Sequence, residues 1–416
     1  MAIETPPIKV LSCDPARREP GLLYFTTRPG GLPVRTQAGW VIAVDRDGTF
    51  ALQRQFEGTS QDIRCQEDGS VLFSQSAQSL LHELDAKGNP RRTWHARGIW
   101  RGKTPPAGST ELPVDFIHHT VNILPNGNLL ILDAEQRELP DWPTSSNDPC
   151  APRVTAKVIG DIVTEVTRDG RLVHAHRIFD ILDPYRITHG SLSGYWRKQG
   201  FPDSYDWSHA NAVAYDPHDD SFVVSLRHQD CIIKLDRVTG DLKWILGNSS
   251  GWRAPWTLKL LKPAAGLAWQ FHQHDCSVTG PNRIMCFDNG CFRAGAFEAP
   301  MEDAKSYSRA VEFEVDEKAK TVRQVWSYGE QRSDKLFACY QGGARRLPKT
   351  GNTFITFGGM CFENGHPSNT NIGTFGKARL IEVTPAGDVV LDIAVDDSNS
   401  PSPSPWSAFR ADHMPG

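Results

Sequence analysis

Short apolar runs, each closed by a polar or acidic residue and a turn, recur along the whole chain. Six copies share one pattern: VIAVDRDG (41–48), LHELDAKG (81–88), VTEVTRDG (163–170), IIKLDRVTG (232–240), AVEFEVDEKAKT (310–321) and LIEVTPAG (380–387). Runs of this length, rich in Val and Ile and ended by Asp-Gly, Thr-Gly or Ala-Gly, predict strands joined by tight hairpins. Further apolar runs follow several of them, such as RRTW, DLKWILG, VRQVWSYG and VVLDIAV. Each copy but the first is also preceded by one: SVLFSQS (70–76), NLLILDAEQ (128–136), SFVVSLRHQD (221–230), NRIMCFDNG (282–290) and NTFITFGGM (352–360). One unit is therefore four antiparallel strands, the blade of a β-propeller. The fold class expected is all-β: a six-bladed propeller over residues 41–416, with residues 1–40 an N-terminal extension packing on it. The first copy lacks inner strands of its own, and WSAFRADHM (406–414) is placed to supply one and close the ring. Insertions at about 90–117, 135–160, 180–207, 248–270 and 290–307 read as loops, with a turn of helix near 193–200.

The segment opening a unit carries the candidate chemistry. His119 lies eight residues before Gly127, His209 eight before Pro217, and His274 eight before Asn282. Equal register in repeated strands means equal place in equivalent units, so three imidazoles distant in sequence are expected to converge on one axis. Imidazole serves as nucleophile, general base or metal ligand. Gln61 and Tyr340 or Gln341 occupy the same register elsewhere. Asn211, two residues after His209, shares its face on a strand. Arg227 ends the next strand and offers a planar fork suited to a sulfate, phosphate or carboxylate. Asp288, Asn289 and Gly290 end the strand after His274. His272 precedes that strand and is placed to join the site, whereas alternation turns His118 away from His119.

Composition narrows the partners. The balance of 45 basic and 49 acidic residues, net charge -4, with no basic run, argues against nucleic acid. No apolar run approaches the ~20 residues that span a bilayer. Nine scattered cysteines without a CxxC pair read as free thiols, and the start MAIETPPIKV lacks the pattern of a signal peptide. A cytoplasmic location is expected.

WSHANAVAYDPHDDSFVVSLRHQDCIIKLDRVTGDLKWILG (207–247) resembles the core signature of the PAPS-independent arylsulfate sulfotransferase family. HHTVNILPNGNLLILD, QHDCSVTGPNRIMCFDNG and SRAVEFEVDEKAKTVRQVWSYG resemble its other motifs in the same order, from about residue 60 to the C-terminus. The resemblance implies a six-bladed propeller with its site at the centre. It implies transfer of a sulfuryl group from an aryl sulfate to a phenol, through a sulfohistidine and with no cofactor. On the matching motifs His274 is the nucleophile, and His119, His209 and Arg227 bind the sulfuryl oxygens, assisted by Asn211; Asn289 and His272 are substrate-binding candidates by their place beside His274 in the sequence. Well-known members carry a signal peptide and an extra N-terminal β-domain that supports a dimer. The first forty residues are too short for that domain, so neither feature is expected here.

Two other readings stay open on the residues alone. His119, His209 and His274 could be three ligands of a metal-dependent hydrolase or lyase. The propeller could also be a non-catalytic interaction platform. Arg227 weighs against the first, and a polar channel centre against the second. Trp100, Tyr195, Trp196, Trp207 and Trp269 are candidates for holding an aromatic ring.

Overall fold

The computed structural model describes residues 5–30 and 38–415, and these residues are all-β. They form six sheets of four to six strands. The longest helical segment among them is the five-residue turn Tyr195–Gln199, where the sequence predicts one. The chain divides into two compact units: Met1–Val121 with Tyr307–Ala310 and Tyr328–Gly416, and Asn122–Ser306 with Val311–Ser327. The strands His118–Ile123, Arg309–Asp316 and Thr321–Tyr328 carry the chain from one unit to the other.

The first unit holds three sheets. In one, the C-terminal Trp406–Pro415 pairs with Gly21–Pro29, followed by Ala38–Val44 and Phe50–Glu57. The second runs from Ile63–Cys65 to Pro90–Ala96 and adds Thr110–Leu112 in parallel. The third runs from Gly343–Arg346 to Val389–Val395, and the N-terminal Ile8–Cys13 pairs with that last strand. Residues 8–29 thus enter two sheets as strands. The repeated turn chemistry is visible here. Asp45 Oδ1 accepts the N–H groups of Asp47 (3.0 Å) and Thr49 (2.8 Å), and Gly48 takes the left-handed φ of 85° that completes the turn. Asp85 repeats it with Lys87 and Asn89.

The second unit holds the sheets built on Leu129–Pro143, Ala210–Asp216 and His274–Gly280. Its middle sheet shows why the runs FVVS and IIKL are apolar without alternation. Successive strand residues face opposite sides. Val224 and Ile233 pack with Leu132, Val158 and Trp207 on one side, while Val223 and Ile232 pack with Cys276, Ile284 and Phe313 on the other. A sheet covered on both faces takes apolar residues at every position, and each such Val or Ile stabilises by ~1.5–3 kcal/mol. The insertion at 135–160 differs from the sequence reading. Leu129–Pro143 and Arg153–Val166 continue as one long hairpin, paired through Leu139 and Ala156. The arm alternates half-buried and exposed positions over residues 135–140, and with only one face covered it lacks the apolar run that marks the other strands.

Candidate active site

The three histidine-bearing segments that open a repeat are each clamped by an aspartic side chain from the repeat before. In the first unit Asp62 Oδ2 accepts Thr120 Oγ1 and the N–H of Val121, both at 3.0 Å. In the second, Asp161 Oδ2 accepts the Ala210 N–H at 2.6 Å and the Ser208 hydroxyl, and Asp230 Oδ1 accepts the His272 N–H at 2.6 Å. These clamps sit beside strained backbone. His119 has φ 55° and His209 φ 45°, and Gln341, at the same sequence register, has φ 58°. A left-handed conformation in a non-glycine residue costs ~1–3 kcal/mol and persists where the surroundings enforce it. At the third histidine the kink falls one residue later, on Asp275 at φ 58°. The strand register there is irregular between His274 and Ser277.

The kink at His119 overturns one expectation. His118 does not turn away: its Nδ1 meets Nδ1 of His119 at 2.8 Å, with both rings buried. Alternation fails because φ 55° rotates the backbone out of the extended state. The N–H of His119 donates to Ser76 Oγ at 2.9 Å, and its ring lies 6.0 Å from that of Phe409. His119 and these partners all belong to the first unit.

His209, Arg227, His274, Asn211, Asn289 and His272 belong to the second unit. Asp206 ties two imidazoles together. Its Oδ2 accepts Nδ1 of His209, and its main-chain oxygen accepts Nδ1 of His228 at 2.8 Å. A carbonyl oxygen only accepts, so the hydrogen of His228 is on Nδ1 and its Nε2 has a lone pair. That lone pair accepts from Arg227 Nη1 at 2.7 Å. The His209 and His228 rings lie 4.5 Å apart, and Tyr195 meets His209 edge-on at 5.0 Å. Burial pulls His228 well below the ordinary imidazole pKa, so it stays neutral.

On the adjoining strand His274 Nδ1 lies 2.8 Å from Asn289 Oδ1. With the amide oxygen as acceptor, the imidazole hydrogen is on Nδ1, and the Nε2 lone pair is the nucleophilic one. Asn211 donates from Nδ2 to the carbonyl of Gln273 at 2.8 Å, so it fixes the backbone one residue before His274. Gln273 in turn donates to Leu226 (3.2 Å) and Cys231 (2.8 Å), which flank the Arg227 turn. Asp288 Oδ1 accepts the Phe271 N–H at 2.9 Å, and its Oδ2 pairs with Arg293 at 3.1 Å. His272 is fully buried with φ 50°. Its Nδ1 is 3.2 Å from Asp230 Oδ1 but misaligned, and neither ring nitrogen makes a hydrogen bond. The distance makes an ion pair only for a protonated ring, and burial lowers its pKa, so we read this imidazole as neutral.

Sequence reasoning missed Asp206 and His228. Both were signalled, as D-x-x-H before His209 and as the residue after Arg227. Reading 227–229 as strand put His228 on the far face; the helical turn Arg227–Gln229 brings it back beside its neighbour. Ligand atoms of Asp206, His209 and His228 lie within 4.8 Å of one another, a spacing that could surround a cation. Both nitrogens of His228 are engaged already, and a guanidinium stands beside them, so hydrogen bonding describes the trio better than ligation. Of the aromatic candidates, Tyr195 touches a site histidine. Trp207 is buried in the core, stacked on Phe179 at 4.9 Å. Trp196 packs on Phe201 and Trp100 on His95, and Trp269 flanks the core. All nine cysteines are free thiols, and no helix among the described residues is long and apolar enough to cross a membrane.

The arylsulfotransferase family model matches residues 23–400. Arylsulfate sulfotransferase AssT of Escherichia coli is 29% identical over 290 residues, which is 59% of this chain and 47% of that protein. The protein of the same name from Lelliottia amnigena is 28% identical over 285 residues, 58% of this chain and 46% of that one. The matched part thus spans about half the length of these relatives. A solved protein of unknown function from Bacteroides caccae aligns over 94% of this chain and 99% of its own at 12% identity, with a TM-score of 0.45.

Proposed function

Since the chain belongs to the arylsulfotransferase family, we propose that it moves a sulfuryl group from an aryl sulfate ester to a phenolic acceptor through a covalent intermediate on His274. One observation carries this reading: the Nδ1 of His274 is held by an amide oxygen, which directs the Nε2 lone pair to attack. Nε2 forms a bond to sulfur as the bond from sulfur to the aryl oxygen breaks. The ring becomes a sulfonated imidazolium, whose remaining N–H stays on Asn289. A neutral acceptor stabilises that cation without deprotonating it.

Arg227 supplies donors to the equatorial oxygens, where charge spreads in the transition state, by analogy with phosphoryl transfer. One preorganised donor of this kind contributes ~2.7–4 kcal/mol. His209, its Nδ1 held by Asp206, gives a proton to the departing phenolate. It takes one back from the incoming phenol as that oxygen attacks sulfur and the N–S bond breaks. Such proton transfer contributes ~10²–10⁴-fold. Asn211 acts by fixing the backbone before His274, and His272 offers a buried imidazole beside this centre. The part of His119 rests on its register in the sequence, and His119→Ala tests it. Six sheets, with the last strand paired to the second, support the six-bladed propeller as the scaffold.

Incubation with p-nitrophenyl sulfate, with and without a phenol, tests the reading. We expect nitrophenolate release, one sulfuryl adduct on His274 in the absence of phenol, and turnover when phenol is added. Full transfer by His274→Ala would end it. A metal-dependent hydrolase or lyase using His119, His209 and His274 is the alternative, but the ligand atoms that cluster are those of Asp206, His209 and His228, of which only His209 belongs to that trio. It predicts no adduct on His274 and loss of turnover with a chelator, whereas our reading predicts the adduct and turnover unaffected by one.

A further inference from the structure

We infer that His228 is a positioning residue, whose neutral Nε2 holds the Arg227 guanidinium where the sulfuryl oxygens bind. This rests on the sulfuryl-transfer reading of the same site. Two hydrogen bonds joined through the ring make the link: His228 Nδ1–H to the Asp206 carbonyl at 2.8 Å, and Arg227 Nη1 to Nε2 at 2.7 Å. The residue is held through both its main chain and its ring. Its main-chain oxygen accepts Thr188 Oγ1 at 3.0 Å, its N–H donates to the Ser208 oxygen at 3.3 Å, and it lies between the rings of His209 and His272 at 4.5 and 6.0 Å.

The backbone of Arg227 is secured separately, its N–H donating to the His209 oxygen at 3.1 Å. A long side chain on a fixed backbone still samples many rotamers, at up to ~1.5–2 kcal/mol of entropy. A buried acceptor at the guanidinium selects among them before substrate arrives. That acceptor exists only while His228 is neutral. The charged or titratable groups facing it are Asp206, His209, Arg227 and His272. Burial disfavours the imidazolium first of all, and the guanidinium of Arg227 adds to it, against the carboxylate of Asp206. Protonation would place an N–H against a guanidinium N–H and release Arg227.

The test uses the full chain with His228→Leu and His228→Gln, each also combined with Arg227→Ala. Leucine keeps the apolar packing and loses the acceptor. Misplacing a positioning group by ~1 Å costs ~10²-fold, so kcat/KM for p-nitrophenyl sulfate should fall about 30–100-fold in the leucine variant. Glutamine, which can donate to the Asp206 oxygen and accept from the guanidinium, should recover to within about 5-fold of wild type. It should also carry activity to lower pH, having no proton to gain. In the Arg227→Ala background the leucine change should add no further loss. Equal impairment by leucine and glutamine, or full additivity with Arg227→Ala, would overturn the inference. Nitrogen NMR of the histidine-labelled wild type checks the link apart from catalysis: hydrogen on Nδ1 and a bare Nε2 are expected, and Nε2–H overturns it. That tautomer in a protein forming no His274 adduct would instead overturn the sulfuryl-transfer reading and leave the His228–Arg227 link standing.

Discussion

Asp62 and Asp161 perform the same structural task and carry opposite charge states. Each is buried, and each accepts hydrogen bonds from a hydroxyl and a main-chain N–H beside an aligned histidine. Burial pushes both carboxyls upward. At Asp62 the guanidiniums of Arg64 (2.9 Å) and Arg410 (3.0 Å) outweigh it and hold the group below its ordinary pKa. At Asp161 the charge of Asp206 adds to burial, and the pKa rises to about 8. The first unit therefore packs its histidine segment against a closed ionic network. The second packs its own against a carboxyl that holds a proton, next to a carboxylate that orients His209. A repeat can copy a hydrogen-bonding role while leaving charge free to diverge.

The largest effect expected separates the two by stability. Asp62→Asn strands two buried guanidiniums and should cost ~3–5 kcal/mol in urea unfolding. Asp161→Asn replaces a protonated acid by an amide of the same shape and should cost under ~1 kcal/mol at pH 7. Equal losses would break the comparison. Next in size, Asp206→Asn keeps the main-chain oxygen that holds His228 but removes the carboxylate behind His209. We expect kcat to fall ~10²-fold with little change in stability; a silent variant would remove Asp206 from the proton path.

The pH dependence of stability should also differ in sign. Between its ordinary 3.8 and about 8, Asp161 keeps a proton in the folded state that the unfolded chain has released. Its contribution therefore declines as pH rises through that window and is flat above it. Asp161→Asn should remove this slope from denaturation profiles. For Asp62, held low, the contribution is complete above its ordinary 3.8 and lost below it as pH falls through the folded value. The smallest effect concerns the hydroxyl clamps. Thr120→Val loses a bond to an ionised carboxylate and should cost ~1.5–3 kcal/mol, against ~1 kcal/mol for Ser208→Ala, whose partner is neutral. The reverse order in thermal unfolding would reassign the charges.

Much of the site was legible because it depends on register. His209 and His274 come at equal offsets from their turns, and the strands that position them are marked by apolar runs and by the turn residues Asp216-Pro217 and Gly280-Pro281-Asn282. Arg227 was also readable as a candidate for oxyanion binding, since a guanidinium at a strand end advertises its charge. Asp206 and His228 were not, because a short helical turn and a left-handed residue set which way their side chains point. His118 was misread for the same reason.

The sequence by itself determined the all-β repeat, its strands and turns, and the residues in register, because these follow from side-chain periodicity and local turn chemistry. Only the tertiary structure decided protonation. Whether Asp62 is charged depends on Arg410, 348 positions away, and whether Arg227 has an acceptor depends on the tautomer that the Asp206 carbonyl imposes on His228. Charge and tautomer are set by neighbours through space, and the order of residues along the chain does not encode who those neighbours are.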